Sequence, residues 1–290
     1  MANDDLKKRL EQRLQQQGSA GALPATSSTN VKYLLGQAAQ TFQDRVQARQ
    51  DTSMTVYAVF DSTGSMRQYI DQVRSCIDDV GRQVLDAKKG IEACVLGVND
   101  HCDKQELVNA RVKMLGDYGQ DNTPTTNVAT LQAQINGIIN TSGGDYPEAY
   151  ECLAADLVQK INTQKTATSS KKQVIILFGD DIPHNKKSNL DDGCPYQRGP
   201  EQLVAMTAVA THTYFVDCSE SGDKFKNGTY QAAGNLQKTT YLRFEQARAV
   251  LPEAIIGMFK KEESPDALKE YLASLSADKA SKVAGLLSRS

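Results

Sequence analysis

From residue 54 onward the chain alternates short, continuous apolar runs with longer amphipathic stretches, and this regularity restricts the fold more than any other feature. The runs VYAVF (56–60), ACVLGV (93–98), VIILF (174–178) and THTYFVD (211–217) lack the strict polar alternation of a strand with one wet face. Continuous apolar strands of this kind suit a parallel sheet covered by helices on both faces. Between them Ile70, Val73, Ile77, Val80 and Val84 recur at helical spacing. Further helices are expected near 127–139, from Pro147, near 200–210, around 230–236 and through Ile256, with a short strand TYLRF at 240–244. The repeated strand–helix–strand order predicts an α/β fold: a doubly wound, mainly parallel, Rossmann-like central sheet with helices on both faces. Ligands of such sheets sit beyond the carboxyl ends of strands, so functional residues should follow the strands.

The flanks read differently. Residues 1–50 are rich in Gln, with Leu6, Leu10 and Leu14 on one helical stripe and a Gly/Ser/Pro/Thr linker at 18–29. A second helical pattern follows in Val31, Leu34, Leu35, Ala38, Phe42 and Val46. Such helices need a partner surface, and self-association through them is one expectation. After Pro265 come two more amphipathic patterns, at 268–275 and 280–287. The expected organisation is a helical extension with a flexible linker at 1–50, the α/β domain at 51–262 and a helical tail at 263–290. No repeat of fixed period is present, which removes solenoids and propellers.

Composition limits the function classes. With 33 basic against 35 acidic residues and a net charge of -2, nothing favours nucleic acid or a membrane surface as the partner. No apolar run approaches the roughly 18–20 residues needed to cross a bilayer. The opening MANDDLKKRLEQRL lacks the apolar centre of a secretion signal, so a cytoplasmic location is expected. Cys76, Cys94, Cys102, Cys152, Cys194 and Cys218 are scattered singly and read as reduced thiols.

The first strand runs straight into Asp61-Ser62-Thr63-Gly64-Ser65-Met66, with a helix directly after it. A turn leaving a strand end can aim alternate side chains, one carboxylate and two hydroxyls, at one point. Hard oxygen donors suit Mg²⁺, which keeps waters or a ligand oxygen in its remaining positions. In its strand–helix context this D-x-T-x-S loop resembles the metal loop of the von Willebrand factor A family. Three further segments, in the family's order, are similar to it: Gly143-Gly144-Asp145-Tyr146-Pro147-Glu148-Ala149, the strand at 174–178 ending in Gly179-Asp180-Asp181-Ile182-Pro183, and the helix and strand between Tyr230 and Phe244. The resemblance covers residues 52–260.

What the resemblance implies is a metal-ion-dependent adhesion site (MIDAS) formed by Asp61, Thr63, Ser65, a second-loop residue and an aspartate after a later strand. For the second loop Asp145 is the first candidate, with Thr125 and Thr126 as rivals. Asp180 aligns with the later ligand, and Asp181 beside it is the alternative. Gly179 stands where the family has threonine. The implied cofactor is Mg²⁺, with Mn²⁺ or Ca²⁺ as substitutes. The implied function is non-enzymatic, metal-dependent binding of another protein through that partner's acidic residue; for intracellular members the partners include AAA+ ATPases and signalling or stress-response components.

The same residues admit other readings. Asp61 to Ser65 would also make a capped helix start, and Gly143-Gly144-Asp145 a plain turn before a helix opened by Pro. A strand-end Asp61 beside Mg²⁺ would also suit a phosphohydrolase nucleophile, although the usual second acid two positions on is Thr63 here. A scaffold with a vestigial metal site is a third reading. A serine hydrolase would need a G-x-S-x-G elbow, which Ser62 and Ser65 lack. His101, His184 and His212 lie near Cys102, Cys194 and Cys218, but no pair has the C-x₂₋₄-C or H-x₃₋₅-H spacing of a structural zinc site, so zinc is not expected. Specificity is expected from three long polar loops, 99–127, 181–200 and 217–228, the second carrying His184, Asp191, Asp192, Cys194 and Tyr196.

Overall fold

The computed structural model describes residues 54–87, 90–144, 147–167, 171–186, 193–220, 223–234 and 237–288. The chain divides into two units, Met1–Ala48 and Arg49–Ser290, and every described residue belongs to the second. The expected helices and linker of residues 1–50 lie outside the described residues.

Seven strands form one sheet in the order β3-β4-β2-β1-β5-β6-β7. They are β1 (Met54–Asp61), β2 (Ile91–Val98), β3 (Met114–Leu115), β4 (Gly119–Gln120), β5 (Lys172–Gly179), β6 (His212–Asp217) and β7 (Thr239–Arg243). The five long strands are parallel, while β4 runs antiparallel to both β2 and β3. The expected doubly wound, mainly parallel sheet is thus the observed one.

All eight residues of β1 are buried, which a strand achieves only with both faces covered. Met54, Val56, Ala58 and Phe60 enter one apolar cluster, and Tyr57 and Val59 the other, as the two-residue period of a strand requires. On the first face lies α1 (Ile70–Ala87), whose Ile70, Val73, Ile77, Val80 and Val84 fall on one stripe and are all buried. Each such aliphatic side chain contributes about 1.5–3 kcal/mol on leaving water. α3 (Val128–Gly137) and α6 (Phe244–Glu263) complete that layer, and α4 (Tyr150–Ala167) with α5 (Glu201–Val209) covers the opposite face.

Two expectations needed revision. The expected loop 99–127 is largely structured: a turn His101–Asp103, the short helix α2 (Lys104–Ala110) and the β3–β4 hairpin. Two-residue strands are too short to show a period. In place of the helix expected at 230–236 come a wide π-helical turn, Lys226–Tyr230, and a 3₁₀ turn, Gln231–Ala233, ended by Gly234 at φ 65°. The C-terminal patterns form α7 (Pro265–Ser274) and α8 (Ala277–Leu287), and Val283 and Leu287 of α8 are buried against α6. Among the described residues no helix is long and apolar enough to cross a membrane.

The strand order reverses between β1 and β5: β2 lies on one side of β1, and the chain later returns to place β5 on the other. Phe60 pairs with Phe178, so Asp61 at the end of β1 and Asp180 just past β5 flank this switch point. A crevice outside the carboxyl ends of the strands forms there from topology alone.

Candidate metal centre at the strand ends

Asp61 is fully buried, and its Oδ1 accepts the Thr63 backbone N–H at 2.9 Å and the Thr63 hydroxyl at 2.6 Å. This local turn folds the chain so that residues 61, 63 and 65 point the same way. The Thr63 and Ser65 hydroxyl oxygens are 3.3 Å apart, and Ser65 Oγ donates to Asp180 Oδ1 at 3.2 Å. Asp61, Thr63, Ser65 and Asp180 therefore form one continuous polar chain. Asp61 and Thr63 lie at its buried end, and Ser65 at its exposed end.

A second loop closes over the first. Thr141 N–H donates to Ser62 O at 3.0 Å, and the carbonyl of Ser142 lies so close that a Cβ on Gly64 would come within 2.1 Å of it. Gly143, at φ 61°, sits against Thr63. A buried polar network holds this loop: Asn99 Nδ2 donates to Ser62 Oγ and to Thr141 Oγ1, each at 2.8 Å, and Thr141 Oγ1 donates to Asp103 Oδ2 at 2.6 Å. Gln120 Nε2 donates to Asn99 Oδ1 at 3.2 Å and to Ile139 O at 2.9 Å. Every member is satisfied within the network, which favours a single geometry.

The second-loop candidates separate. Asp145 lies outside the described residues. Thr125 is bonded through its backbone to Ala93, near the start of β2, and Ala93 pairs with Val56, five residues before Asp61. At about 3.3 Å per strand residue that is roughly 16 Å from the site, which removes Thr125 and its neighbour Thr126. The acidic residue that arrives instead is Glu148, 3% exposed, which faces the Thr63 hydroxyl. The sequence offered no reason to select it, because its place depends on a bridge between Glu148 and Pro183, with Glu148 N–H donating to Ile182 O.

Asp180 and Asp181 also part company. Asp180 turns to Ser65, whereas Asp181 accepts Lys224 Nζ at 2.7 Å and its own neighbour's Ile182 N–H at 2.8 Å. Tyr150, another residue not anticipated, donates its phenol to Asp61 Oδ2 at 2.5 Å. A Cβ at Gly179 would lie 2.3 Å from that phenol oxygen. Glycine at position 179 thus makes room for Tyr150.

Carboxylates crowd this corner. Burial, then repulsion from Asp180, pushes the Asp61 carboxyl up to about 7. Burial followed by the charges of Asp61 and Asp100 pushes Glu148 up to about 10, and burial with Asp181 raises Asp180. Glu148 Oε2 is buried with no hydrogen-bond partner among the described residues. A cluster of acids that raise one another's proton affinity, with an orphaned oxygen among them, is the electrostatic signature of a place suited to a cation. The donors are carboxylate and hydroxyl oxygens, a set that fits a hard divalent ion.

No protein-family profile matches the sequence, and no curated protein does. Among solved structures the chain is similar to the pilus adhesin SpaC of Lactobacillus rhamnosus GG in its open conformation, at 13% identity and a TM-score of 0.49 over 72% of this chain and 30% of that one. It is also similar to a von Willebrand factor type A protein of Catenulispora acidiphila, at 14% identity and a TM-score of 0.43 over 73% and 43% of the two chains. The manganese-loaded TRAP protein of Plasmodium vivax is similar at 12% identity and a TM-score of 0.44, over 68% and 71%. The chain spans less than a third of the adhesin's length. The doubly wound, mainly parallel sheet, with the aspartate–threonine–serine turn leaving its central strand, gives this chain a Rossmann-like α/β fold.

Proposed function

We propose that this chain is a metal-dependent protein-binding module, with Thr63, Ser65 and Asp180, backed by Asp61 and Glu148, as the residues that hold a Mg²⁺ ion. The observation that carries the reading is the hydrogen-bonded chain from Asp61 through Thr63 and Ser65 to Asp180 at the switch point. When bound there, such an ion supplies a Lewis-acidic position that an outside oxygen can fill. Asp61 fixes the Thr63 hydroxyl from a buried position, and Tyr150 holds Asp61 in turn. Ser65, exposed, leaves the site open on the solvent side. A partner's Asp or Glu carboxylate is the oxygen donor of matching charge.

Asp61 is badly placed for the phosphohydrolase alternative. A carboxylate nucleophile needs an accessible lone pair, and both Asp61 oxygens already accept hydrogen bonds in a fully buried position.

The test is Mn²⁺ and Mg²⁺ titration calorimetry on the wild type and on Asp61→Ala, Ser65→Ala and Asp180→Ala, joined to affinity capture with and without chelator. The expected outcome is saturable binding in the wild type, at least tenfold weaker in each variant, and a captured protein that chelation or Asp61→Ala releases. Equal metal binding in all four proteins, or metal-dependent phosphoester turnover abolished by Asp61→Asn, would overturn the reading.

A further inference from the structure

Four metal-ligating side chains from three separate segments meet beside the start of α4: His101 in the turn after β2, Glu151 and Cys152 in the first turn of α4, and Cys194 in the loop after β5. The Cys152 and Cys194 sulfurs are 3.3 Å apart, His101 Nε2 is 3.6 Å from Cys152 Sγ, and His101 Nε2 is 3.5 Å from Glu151 Oε1. A tetrahedral zinc ion, with bonds of about 2.3 Å to sulfur and about 2.0–2.1 Å to nitrogen, separates its ligands by roughly 3.3–3.8 Å. These three separations fall in that range, and all four donor atoms lie within 4.8 Å of one another, close enough to converge on one ion.

The surroundings prepare each donor. His101 Nδ1 is 3.0 Å from Asp117 Oδ1, so the ring proton sits on Nδ1 and the Nε2 lone pair faces the sulfurs. A carboxylate behind a histidine in this way is the common support of zinc-bound imidazole. Glu151 Oε2 accepts the His184 backbone N–H at 3.0 Å, while Glu151 Oε1 is buried with no hydrogen-bond partner among the described residues and lies on the cluster side. Glu151, Cys152 and Cys194 are each fully buried. A buried carboxylate oxygen whose partner is a histidine nitrogen as far as 3.5 Å away is incompletely satisfied and gains from coordination.

We propose that His101 Nε2, Glu151 Oε1, Cys152 Sγ and Cys194 Sγ form a closed, four-coordinate Zn²⁺ site that pins the loop after β5 and the turn after β2 to the first turn of α4. Thiolate and imidazole donors select zinc over Mg²⁺, which separates this site from the all-oxygen cluster at Asp61. Four protein donors leave no open position, so the role is structural. On binding, both thiol protons go to solvent and the two thiolates take their place on the ion, with no change of oxidation state. The spacing rule missed the site because only Glu151 and Cys152 are near in sequence. The inference stands whether or not a cation binds at Asp61.

The experiment uses the full chain, purified under reducing conditions without metal-affinity resin, with elemental analysis and with Co²⁺ as a spectroscopic probe. One zinc per chain is expected, falling to background in Cys152→Ser and Cys194→Ser and unchanged in Asp61→Asn. Cobalt replacing zinc should give a thiolate charge-transfer band and the visible bands of tetrahedral geometry. Asp117→Asn, which keeps all four ligands, should weaken zinc about 10–100-fold. That variant and the wild-type cobalt spectrum decide the matter even if the cysteine variants do not fold. Zinc-free protein that gives no cobalt–thiolate band, zinc content indifferent to Cys152 and Cys194, or an intact mass showing a Cys152–Cys194 disulfide in freshly alkylated protein would each overturn the proposal.

Discussion

Tyr150 reaches Asp61 only because residue 179 carries no side chain, and the same absence keeps Phe225 in place, 2.8 Å from where a Cβ would stand. Gly179→Thr should therefore cost about 1–3 kcal/mol by overpacking. Because part of that cost comes from the phenol oxygen, Tyr150→Phe should relieve some of it, and a double-mutant cycle in urea should show coupling above about 0.5 kcal/mol. Strict additivity would mean that residue 179 and Tyr150 act independently. At this scale the sequence was partly legible. Asp61, Thr63 and Ser65 could be read because one local turn sets their convergence, and Asp180 because a strand end places it. Glu148 lies in the segment 143–149, yet its place beside Thr63 depends on pairing with a residue 35 positions on, which no local pattern encodes. His101, Cys152 and Cys194 are hidden for the same reason.

Among the elements, the long strands and α1 were legible because each repeats one period over many residues, eight in β1 and eighteen in α1. The β3–β4 hairpin and the short π and 3₁₀ turns from residue 226 repeat nothing. α8 shows how a weak pattern can conceal real packing. Val283 and Leu287 are buried, and a Cβ on Gly257 of α6 would lie 2.9 Å from Leu287 and 3.3 Å from Val283. The two helices meet where α6 presents bare backbone. Leu287→Ala should cost about 2–5 kcal/mol, read as a lower denaturation midpoint with an unchanged slope. A loss under about 0.5 kcal/mol would mean that α8 is a detachable tail.

For the whole molecule, the crowded acids make stability depend on pH in an unusual direction. Asp61 binds its proton more tightly folded than unfolded, with its carboxyl raised from 3.8 to about 7. Between those values the folded state holds a proton that the unfolded chain has released, so without divalent metal its contribution to stability falls as pH rises across that window and is level above it. Asp61→Asn should accordingly be more stable than the wild type above the window when no metal is present. Added Mg²⁺ should raise the wild type's melting temperature there and leave the variant unmoved. Melting curves across pH, with chelator and with Mg²⁺, check both statements. A variant less stable than the wild type throughout would show that hydrogen bonds from Thr63 and Tyr150 outweigh the repulsion.

The first turn of α4 holds Tyr150, bonded to Asp61, immediately beside Glu151 and Cys152, so the oxygen cluster and the sulfur cluster share a few ångströms of backbone. Were ions held at both proposed sites, this turn would be the path of any coupling between them. By whatever factor zinc sharpens or blunts the grip on magnesium, magnesium must return the same factor to zinc.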